Sequence, residues 1–84
     1  MGSAPIRLLM VDDHPLINEA IRLLIEKHGM EFVGPATTGS QAIDMTLEFE
    51  PDIVLLDILM PGMDGLQALA RIKSARPTTA VIIL

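Results

Sequence analysis

Two short, almost wholly apolar runs that each end in aspartate constrain the fold of this chain more than any other feature of its sequence. One run spans residues 6–11 and is followed by Asp12 and Asp13; the other spans 53–56 and is followed by Asp57. Apolar runs without polar alternation are typical of strands that are covered on both faces of a parallel sheet. Neither run approaches the ~20 residues that a membrane-spanning helix needs, so we expect no membrane segment.

Helical patterns separate these strands. Pro15 suits the first turn of a helix, apolar residues then recur at helical spacing, and Gly29 predicts the helix end. Ser40 is the predicted N-cap of a second helix, and Asp64 is that of a third helix over residues 66–74. The chain is therefore expected to alternate between strand and helix.

Two further strands complete the pattern. Residues 31–35 form a short, partly polar segment that suits a sheet edge, whereas residues 80–84 are apolar at every position. Short connections and right-handed crossovers predict an α/β fold, a doubly wound parallel sheet with strand order 2-1-3-4. An apolar strand at an exposed edge is an aggregation site that natural domains avoid. We therefore expect the domain to be truncated after this fourth strand, with a fifth strand and the last helices missing.

The length, cysteine content and charge of the chain limit its functions. With 84 residues it is expected to be one domain, with residues 1–4 a tag or disordered and residues 5–84 the folded part. It has no cysteine, which excludes disulfides and thiolate metal sites and fits a cytoplasmic location. Its net charge of −5 argues against contact of this segment with nucleic acid, because binding phosphates requires a basic surface.

The aspartates that follow the two apolar strands are the candidate functional residues. Doubly wound sheets bind ligands beyond the carboxyl ends of their strands, where the strand order reverses. That point lies between strands 6–11 and 53–56, so Asp12, Asp13 and Asp57 are expected to converge. Mg²⁺ would relieve their mutual repulsion, and it accepts one or two carboxylates while keeping waters for a phosphate group. Asp57 is then a candidate nucleophile that forms an acyl phosphate.

Three segments resemble the receiver domain of bacterial two-component response regulators, in particular the NarL/FixJ type. They are LLMVDDHPL at 8–16, PDIVLLDILMPGMDG at 51–65 and AVIIL at 80–84. The combination of an upstream acidic pair with D-x-x-M-P-G-M-D-G is specific, whereas two adjacent aspartates alone would be a weak signal. The resemblance implies a flavodoxin-like fold and makes residues 5–84 a partial receiver domain.

The resemblance also implies a role for each matching site residue. Asp57 would accept a phosphoryl group from a sensor histidine kinase, which makes the chain a phosphoacceptor signalling domain rather than an enzyme. Asp57 and Asp13 would bind Mg²⁺ directly, Asp12 would assist through water, and Leu59 would contribute its backbone carbonyl. In the intact protein such a domain would regulate transcription.

Two hallmarks of the family fall beyond the matching segments. Receiver domains have a Thr or Ser just past the strand that corresponds to 80–84, and a Lys at the end of a fifth strand. The sequence ends at Leu84, before both positions. We therefore expect this segment to bind metal more weakly than a whole domain and to show little switching.

Other interpretations of the same residues stay open. Asp12 and Asp13 would also suit a solvated helix N-terminus, where the helix dipole favours negative charge. His14 is expected to be an exposed first-turn residue rather than a ligand. An aspartate-nucleophile phosphatase is disfavoured, because such enzymes need a second acid two residues after the nucleophile and position 59 is Leu. The alternative function is a self-associating fragment that forms an edge-paired or domain-swapped homodimer through strand 80–84, without competent switching.

Overall fold

The computed structural model describes residues 4–84, in which strands and helices alternate as the sequence predicts. Of the segment expected to be a tag or disordered, residues 1–3 lie outside the described residues, and Ala4 is exposed. The elements are, in chain order, β1 (Arg7–Val11), α1 (Pro15–Lys27), β2 (Glu31–Phe32), α2 (Gly39–Phe49), β3 (Ile53–Leu56), α3 (Gly65–Ala75) and β4 (Ala80–Ile83).

The four strands form one parallel sheet in the order β2-β1-β3-β4. This is the predicted strand order, and the flavodoxin-like α/β fold class is confirmed. The order reverses between β1 and β3, where Leu8 pairs with Ile53 and Val11 pairs with Leu56. The carboxyl ends of these two strands therefore lie side by side at the switch point.

Alternate residues of the central strands face two separate cores. One core joins β1 and β3 to α2 and α3, and its buried members are Leu9, Val11, Ala36, Ala42, Val54, Leu56, Met60 and Ile72. The other lies on the α1 side of the sheet and contains Leu8, Met10 and Ile25. Full burial of one such large apolar side chain contributes about 1.5–3 kcal/mol. Helices thus pack on both faces, as a doubly wound sheet requires.

The start of α2 differs from the predicted start. Thr38, not Ser40, is the N-cap: its Oγ1 accepts a hydrogen bond from the Gln41 N–H at 3.0 Å, and Gln41 Oε1 accepts one from the Thr37 N–H at 2.8 Å. A Gln three residues after a Thr is typical of a capping box, and here the Gln side chain bonds the N–H of the residue before the cap instead of that of the cap itself. Ser40 has Ile43 at the corresponding position, so it lies inside the first helical turn instead.

Strand β2 is shorter than the predicted 31–35. The Val33 N–H still donates to the Leu8 carbonyl at 3.0 Å. Pro35 has no N–H with which to continue the ladder, and Ala36 forms only an isolated bridge with Val11. The predicted bounds of β3, residues 53–56, are confirmed, whereas β1 begins one residue later than predicted, at residue 7, and β4 ends one residue earlier, at residue 83.

Strand β4 is an edge of the described sheet, as the sequence predicts for residues 80–84. Val81 packs against the core on the α2 and α3 side, but Ile82, Ile83 and the following Leu84 are exposed. The edge therefore combines apolar side chains with an unpaired row of backbone groups, which is the usual composition of a pairing surface.

The end of the sheet opposite the switch point is held by hydrogen bonds from side chains to the backbone. Asp52 Oδ2 accepts a hydrogen bond from the Arg7 N–H at 2.9 Å. The Thr79 hydroxyl and Arg76 Nε donate to the Pro51 carbonyl at 2.7 and 3.1 Å. These bonds join the beginnings of β1, β3 and β4, so they fix the strands at the end away from the predicted acidic site.

Candidate functional site

The predicted aspartates converge at the carboxyl ends of β1 and β3. Asp12 is the first residue after β1 and Asp57 the first after β3, and the Asp57 N–H donates to the Val11 carbonyl at 3.0 Å. Asp12, Asp13, His14 and Asp57 each offer one ligand atom, and these atoms all lie within 4.8 Å of one another. We call these four residues the acidic cluster. The structure thus brings together the three carboxylates that the sequence analysis singled out.

The three carboxylates differ in depth. The Asp12 side chain is 5% exposed, that of Asp57 is 16% exposed and that of Asp13 is 38% exposed. Asp12 Oδ1 accepts a hydrogen bond from the His14 N–H at 2.9 Å, which fixes the deepest carboxylate against the start of α1. The cluster is therefore closed on the Asp12 side and open on the Asp13 side, from which a ligand could enter.

His14 contacts the carboxylates of the cluster, although its sequence position predicts only an exposed first-turn residue. It is exposed, as expected, and it is the N-cap of α1, but its ring turns back over the carboxylates. Its Nδ1 lies 2.5 Å from Asp12 Oδ1, 3.3 Å from Asp13 Oδ1 and 3.9 Å from Asp57 Oδ2. Its position directly after the acidic pair was the only sequence signal for this contact.

The carboxylates change the proton affinity of this histidine. The hydrogen bond to Asp12 raises the pKa of His14 above its ordinary 6.5, and the negative charges of Asp12, Asp13 and, more weakly, Asp57 raise it further. The protonated imidazole supplies positive charge where the carboxylates repel one another. A protonated His14 ring and a bound cation would both reduce the repulsion between the carboxylates. They would therefore compete for the same carboxylate oxygen atoms.

The loop after β3 holds Asp57 in place. Asp57 Oδ1 accepts a hydrogen bond from the Leu59 N–H at 2.9 Å. The Met63 N–H donates to the Met60 carbonyl at 3.2 Å across Pro61 and Gly62, and Gly62 has φ +75°. Proline followed by glycine at positive φ is the composition of a type II turn. This turn directs the chain from the cluster into α3.

Gly65, the first residue of α3, is needed for the close packing of the same loop. A Cβ atom at Gly65 would lie 2.6 Å from the Ile58 Cβ and 2.7 Å from its Cγ2. Asp64, the predicted N-cap, does cap the helix, since its Oδ1 accepts a hydrogen bond from the Gln67 N–H at 3.1 Å. Ile58 and α3 can therefore approach closely enough to fix the loop that follows Asp57.

The donor atoms of the cluster suit a hard divalent cation. Three of the four groups are carboxylates, and Mg²⁺ binds oxygen ligands and few carboxylates at a time. The residues able to hold it are Asp12, Asp13 and Asp57, with the backbone carbonyl of Leu59 as the ligand implied by the family resemblance. His14 is the one nitrogen ligand within the cluster, and its ring is already bonded to Asp12.

Within residues 4–84, no helix is both long enough and apolar enough to cross a bilayer.

The fold and the cluster together define a doubly wound α/β domain with an acidic site at its switch point. Comparison with family models matches residues 8–84 to the response regulator receiver domain, and the chain belongs to this family. The resemblance drawn from the acidic pair and the D-x-x-M-P-G-M-D-G motif is thereby confirmed. The domain is a signalling domain of two-component systems.

Proteins similar to this chain include a transcriptional regulator and an enzyme. The transcriptional regulatory protein YdfI of Bacillus subtilis is 40% identical over 78 residues, which are 92% of this chain and 37% of that protein. A protein-glutamate methylesterase/protein-glutamine glutaminase of Archaeoglobus fulgidus is 42% identical over 77 residues, which are 92% of this chain and 22% of that protein. The chain therefore spans well under half the length of these relatives, and the domain alone does not define an output.

A solved structure supports the same assignment. The crystal structure of a two-component response regulator of the LuxR family from Aurantimonas sp. SI85-9A1 superposes with a TM-score of 0.85 at 34% identity. The alignment covers 94% of this chain and 57% of that one. The architecture described above is thus that of a response regulator receiver domain.

Proposed function

We propose that this chain is a phosphoacceptor domain that receives a phosphoryl group on Asp57 from a sensor histidine kinase, with Mg²⁺ as cofactor. One observation carries the proposal: Asp57 and the Asp12–Asp13 pair, which are far apart in sequence, have ligand atoms within 4.8 Å of one another. Membership of the receiver family supplies the class of reaction. The geometry of the acidic cluster supports the choice of residues.

The reaction that fits these residues is a transfer between two side chains. A carboxylate oxygen of Asp57 attacks the phosphorus of a phosphohistidine; the P–N bond breaks, its electron pair remains on the imidazole, and an aspartyl phosphate forms. Asp57 is suited to this role because it lies in the cluster with its Oδ1 oriented by the Leu59 N–H. Asp12, Asp13, Asp57 and the Leu59 carbonyl are the groups that would hold Mg²⁺, and the bound cation would supply positive charge against the transferring phosphoryl oxygens.

The proposed output of the intact protein is regulation of transcription in the cytoplasm. YdfI is a transcriptional regulatory protein, and the LuxR-family protein is a two-component response regulator. The segment itself has a net charge of −5, so its own surface is not suited to contact with nucleic acid.

Metal binding and phosphoryl acceptance are tested by two measurements on the same variants. We expect Mg²⁺ to shift the amide NMR signals of residues 12–14 and 57–59, and acetyl phosphate with Mg²⁺ to add one phosphoryl group to the intact mass. Asp57→Asn should abolish the added mass, and Asp13→Asn should weaken the Mg²⁺ response.

Asp64→Asn is the matched control, because it removes a carboxylate outside the acidic cluster, at the start of α3, while Asn remains a good N-cap. It should behave like the unchanged protein in both measurements. Equal Mg²⁺ affinity of Asp13→Asn and the unchanged protein would show that the cluster is not the metal site. A phosphoryl group carried by Asp57→Asn would show that Asp57 is not the acceptor.

A second candidate function is self-association through β4. The exposed Ile82, Ile83 and Leu84 on an edge strand favour it, because pairing of two copies would cover apolar surface and satisfy backbone groups. Size-exclusion chromatography with light scattering should then show a concentration-dependent dimer that Ile83→Lys disrupts. A monomer at all concentrations would exclude this candidate and leave the phosphoacceptor proposal unaffected.

A further inference from the structure

Asn18, in the first turn of α1, is a buried polar residue directly behind the acidic cluster. It is 6% exposed, and its Nδ2 donates a hydrogen bond to the Asp12 carbonyl at 2.9 Å. Its backbone N–H donates to the His14 carbonyl at 3.0 Å, so the residue is also part of the first helical hydrogen bond. One side chain thus connects the helix to the segment that carries the acidic pair.

The hydrogen bond from Asn18 acts on the peptide unit between the two acidic residues. The Asp12 carbonyl belongs to the peptide bond that links Asp12 to Asp13, so its orientation sets the direction in which Asp13 leaves β1. On the other side of the residue, the Asp12 N–H donates to the Ala36 carbonyl at 3.0 Å. With both backbone groups of Asp12 bonded, the carboxylates of Asp12 and Asp13 have a fixed relation to Asp57.

The other end of the Asn18 side chain has no such partner. Among residues 4–84, Asn18 Oδ1 is the buried side-chain oxygen or nitrogen that lacks a hydrogen-bond partner. A buried carbonyl group without a partner costs stability, and this cost offsets part of what the hydrogen bond to the Asp12 carbonyl contributes. The specific contact of the asparagine side chain is therefore its bond to the Asp12–Asp13 peptide.

We propose that Asn18 is a positioning residue of the metal site: its amide N–H holds the Asp12–Asp13 peptide so that both carboxylates face Asp57. This inference rests on the proposed function, since it assigns Asn18 a task in the same Mg²⁺ site. Partners that orient metal ligands typically contribute about 10–100-fold to metal affinity. Asn18 would thus act on the metal through the acidic pair and without contacting it.

The proposal predicts a loss of metal affinity that a change in stability does not account for. Asn18→Leu removes the unpaired oxygen and keeps a similar side-chain volume, but it also leaves the Asp12 carbonyl without its amide donor. Because these two effects on stability oppose each other, we expect only a small net change in the free energy of unfolding, measured in urea with a chelator present. We expect the Mg²⁺ dissociation constant of this variant to rise about tenfold or more.

Thr46→Val is the matched control. Thr46 is fully buried on α2, and its hydroxyl donates to the Ala42 carbonyl at 2.7 Å, away from the cluster. The substitution removes a buried hydrogen bond from a side chain to a carbonyl, just as Asn18→Leu does. Calorimetric Mg²⁺ titration of both variants, with the Asp13 amide ¹⁵N shift as a probe of the Asp12–Asp13 peptide, separates positioning from general stability.

Each outcome decides a different question. Weaker Mg²⁺ binding and a shifted Asp13 signal in Asn18→Leu, with neither change in Thr46→Val, support the proposal. An unchanged Mg²⁺ affinity in Asn18→Leu, or the same loss in Thr46→Val, overturns it. If Asn18→Leu does not fold, Asn18→Ala is measured against the same two criteria. If Asp13→Asn also binds Mg²⁺ normally, the failure belongs to the metal site itself and not to Asn18.

Discussion

Val11 and Leu56 are direct partners in the parallel pairing of β1 with β3. The residues that follow them, Asp12 and Asp57, therefore leave the sheet at the same level and on neighbouring strands. Negative charge accumulates at this point because of strand register, and the register is set by the apolar cores on both faces of the sheet. The acidic cluster is thus a consequence of how the hydrophobic residues pack.

Removal of one carboxylate is predicted to stabilise the metal-free protein. At low ionic strength, and at a pH where His14 is neutral, Asp13→Asn should raise the free energy of unfolding by about 1 kcal/mol or less, because it relieves charge repulsion. The gain should shrink at high salt. Urea denaturation with a chelator measures it, and Asp64→Asn, outside the cluster, should show a smaller change.

Addition of Mg²⁺ should make the unchanged protein more stable than Asp13→Asn, because a cation that binds only the folded state stabilises it. Denaturation repeated with excess Mg²⁺ should stabilise the unchanged protein more than Asp13→Asn. Equal stabilisation of the two proteins would contradict the assignment of Asp13 as a ligand.

His14 is predicted to titrate above its ordinary pKa in chelated protein. The hydrogen bond from its ring to Asp12, and the charges of Asp12 and Asp13, favour the imidazolium form. Because the pKa is raised on folding, the resulting stabilisation is fully present below about pH 6.5 and is lost as the pH rises through the folded-state pKa. NMR titration of the imidazole signals measures this pKa directly.

Asp12→Asn is the informative variant for this titration. It removes the largest cause of the shift and should return the pKa of His14 towards 6.5. Mg²⁺ should act in the same direction in the unchanged protein, because the cation competes with the imidazolium for Asp12 Oδ1. A His14 pKa that responds to neither change would disprove the coupling.

Gly65→Ala is predicted to destabilise the domain, although alanine normally favours a helix over glycine. The added Cβ would meet the Ile58 Cβ at 2.6 Å, and overpacking of this kind costs about 1–3 kcal/mol. Gly39→Ala is the matched control at the first residue of α2, where the nearest atom is the flexible Met63 Cγ at 3.3 Å. Thermal denaturation should show a clear loss for Gly65→Ala only; similar behaviour of the two variants would refute the role of the Ile58 contact.

Asp52→Ala is predicted to lower stability without affecting metal binding. It removes the acceptor of the Arg7 N–H, which is worth about 0.5–1.5 kcal/mol. Asp44→Ala, on the exposed surface of α2, removes an equivalent charge and serves as the reference. Urea denaturation and Mg²⁺ titration of both variants check the prediction, which fails if Asp52→Ala changes the Mg²⁺ affinity.

The sheet and the gathering of the carboxylates could be predicted from the sequence because their determinants are local. Apolar runs at 6–11 and 53–56 identify the central strands, and the aspartates that follow are adjacent to them in the chain. Right-handed crossovers then leave few possible strand orders. The relation of Asp57 to Asp12 therefore follows from neighbouring residues and a general rule of topology.

Side-chain hydrogen bonds between distant segments could not be predicted in this way. The bond between Arg7 and Asp52 joins residues 45 positions apart, and Asp52 resembles any other polar residue in a turn. The ring of His14 and the amide of Asn18 could both have pointed to solvent. Their orientations depend on the packed structure. The N-cap at Thr38 has a local signal in Gln41, whose side chain bonds back to Thr37, and Ser40 lacks an equivalent partner three residues later.

Hydrogen bonds at Pro51 and Asp52 hold one end of β3, and Asp57 follows the other end, about 17 Å of extended chain away. Substitutions in the acidic cluster therefore leave those hydrogen bonds intact. The metal binding and phosphoryl transfer proposed for the acidic cluster could therefore change without a compensating change at the far end of the strand. A domain whose stabilising contacts lie away from its reactive end is a tolerant scaffold for new site chemistry.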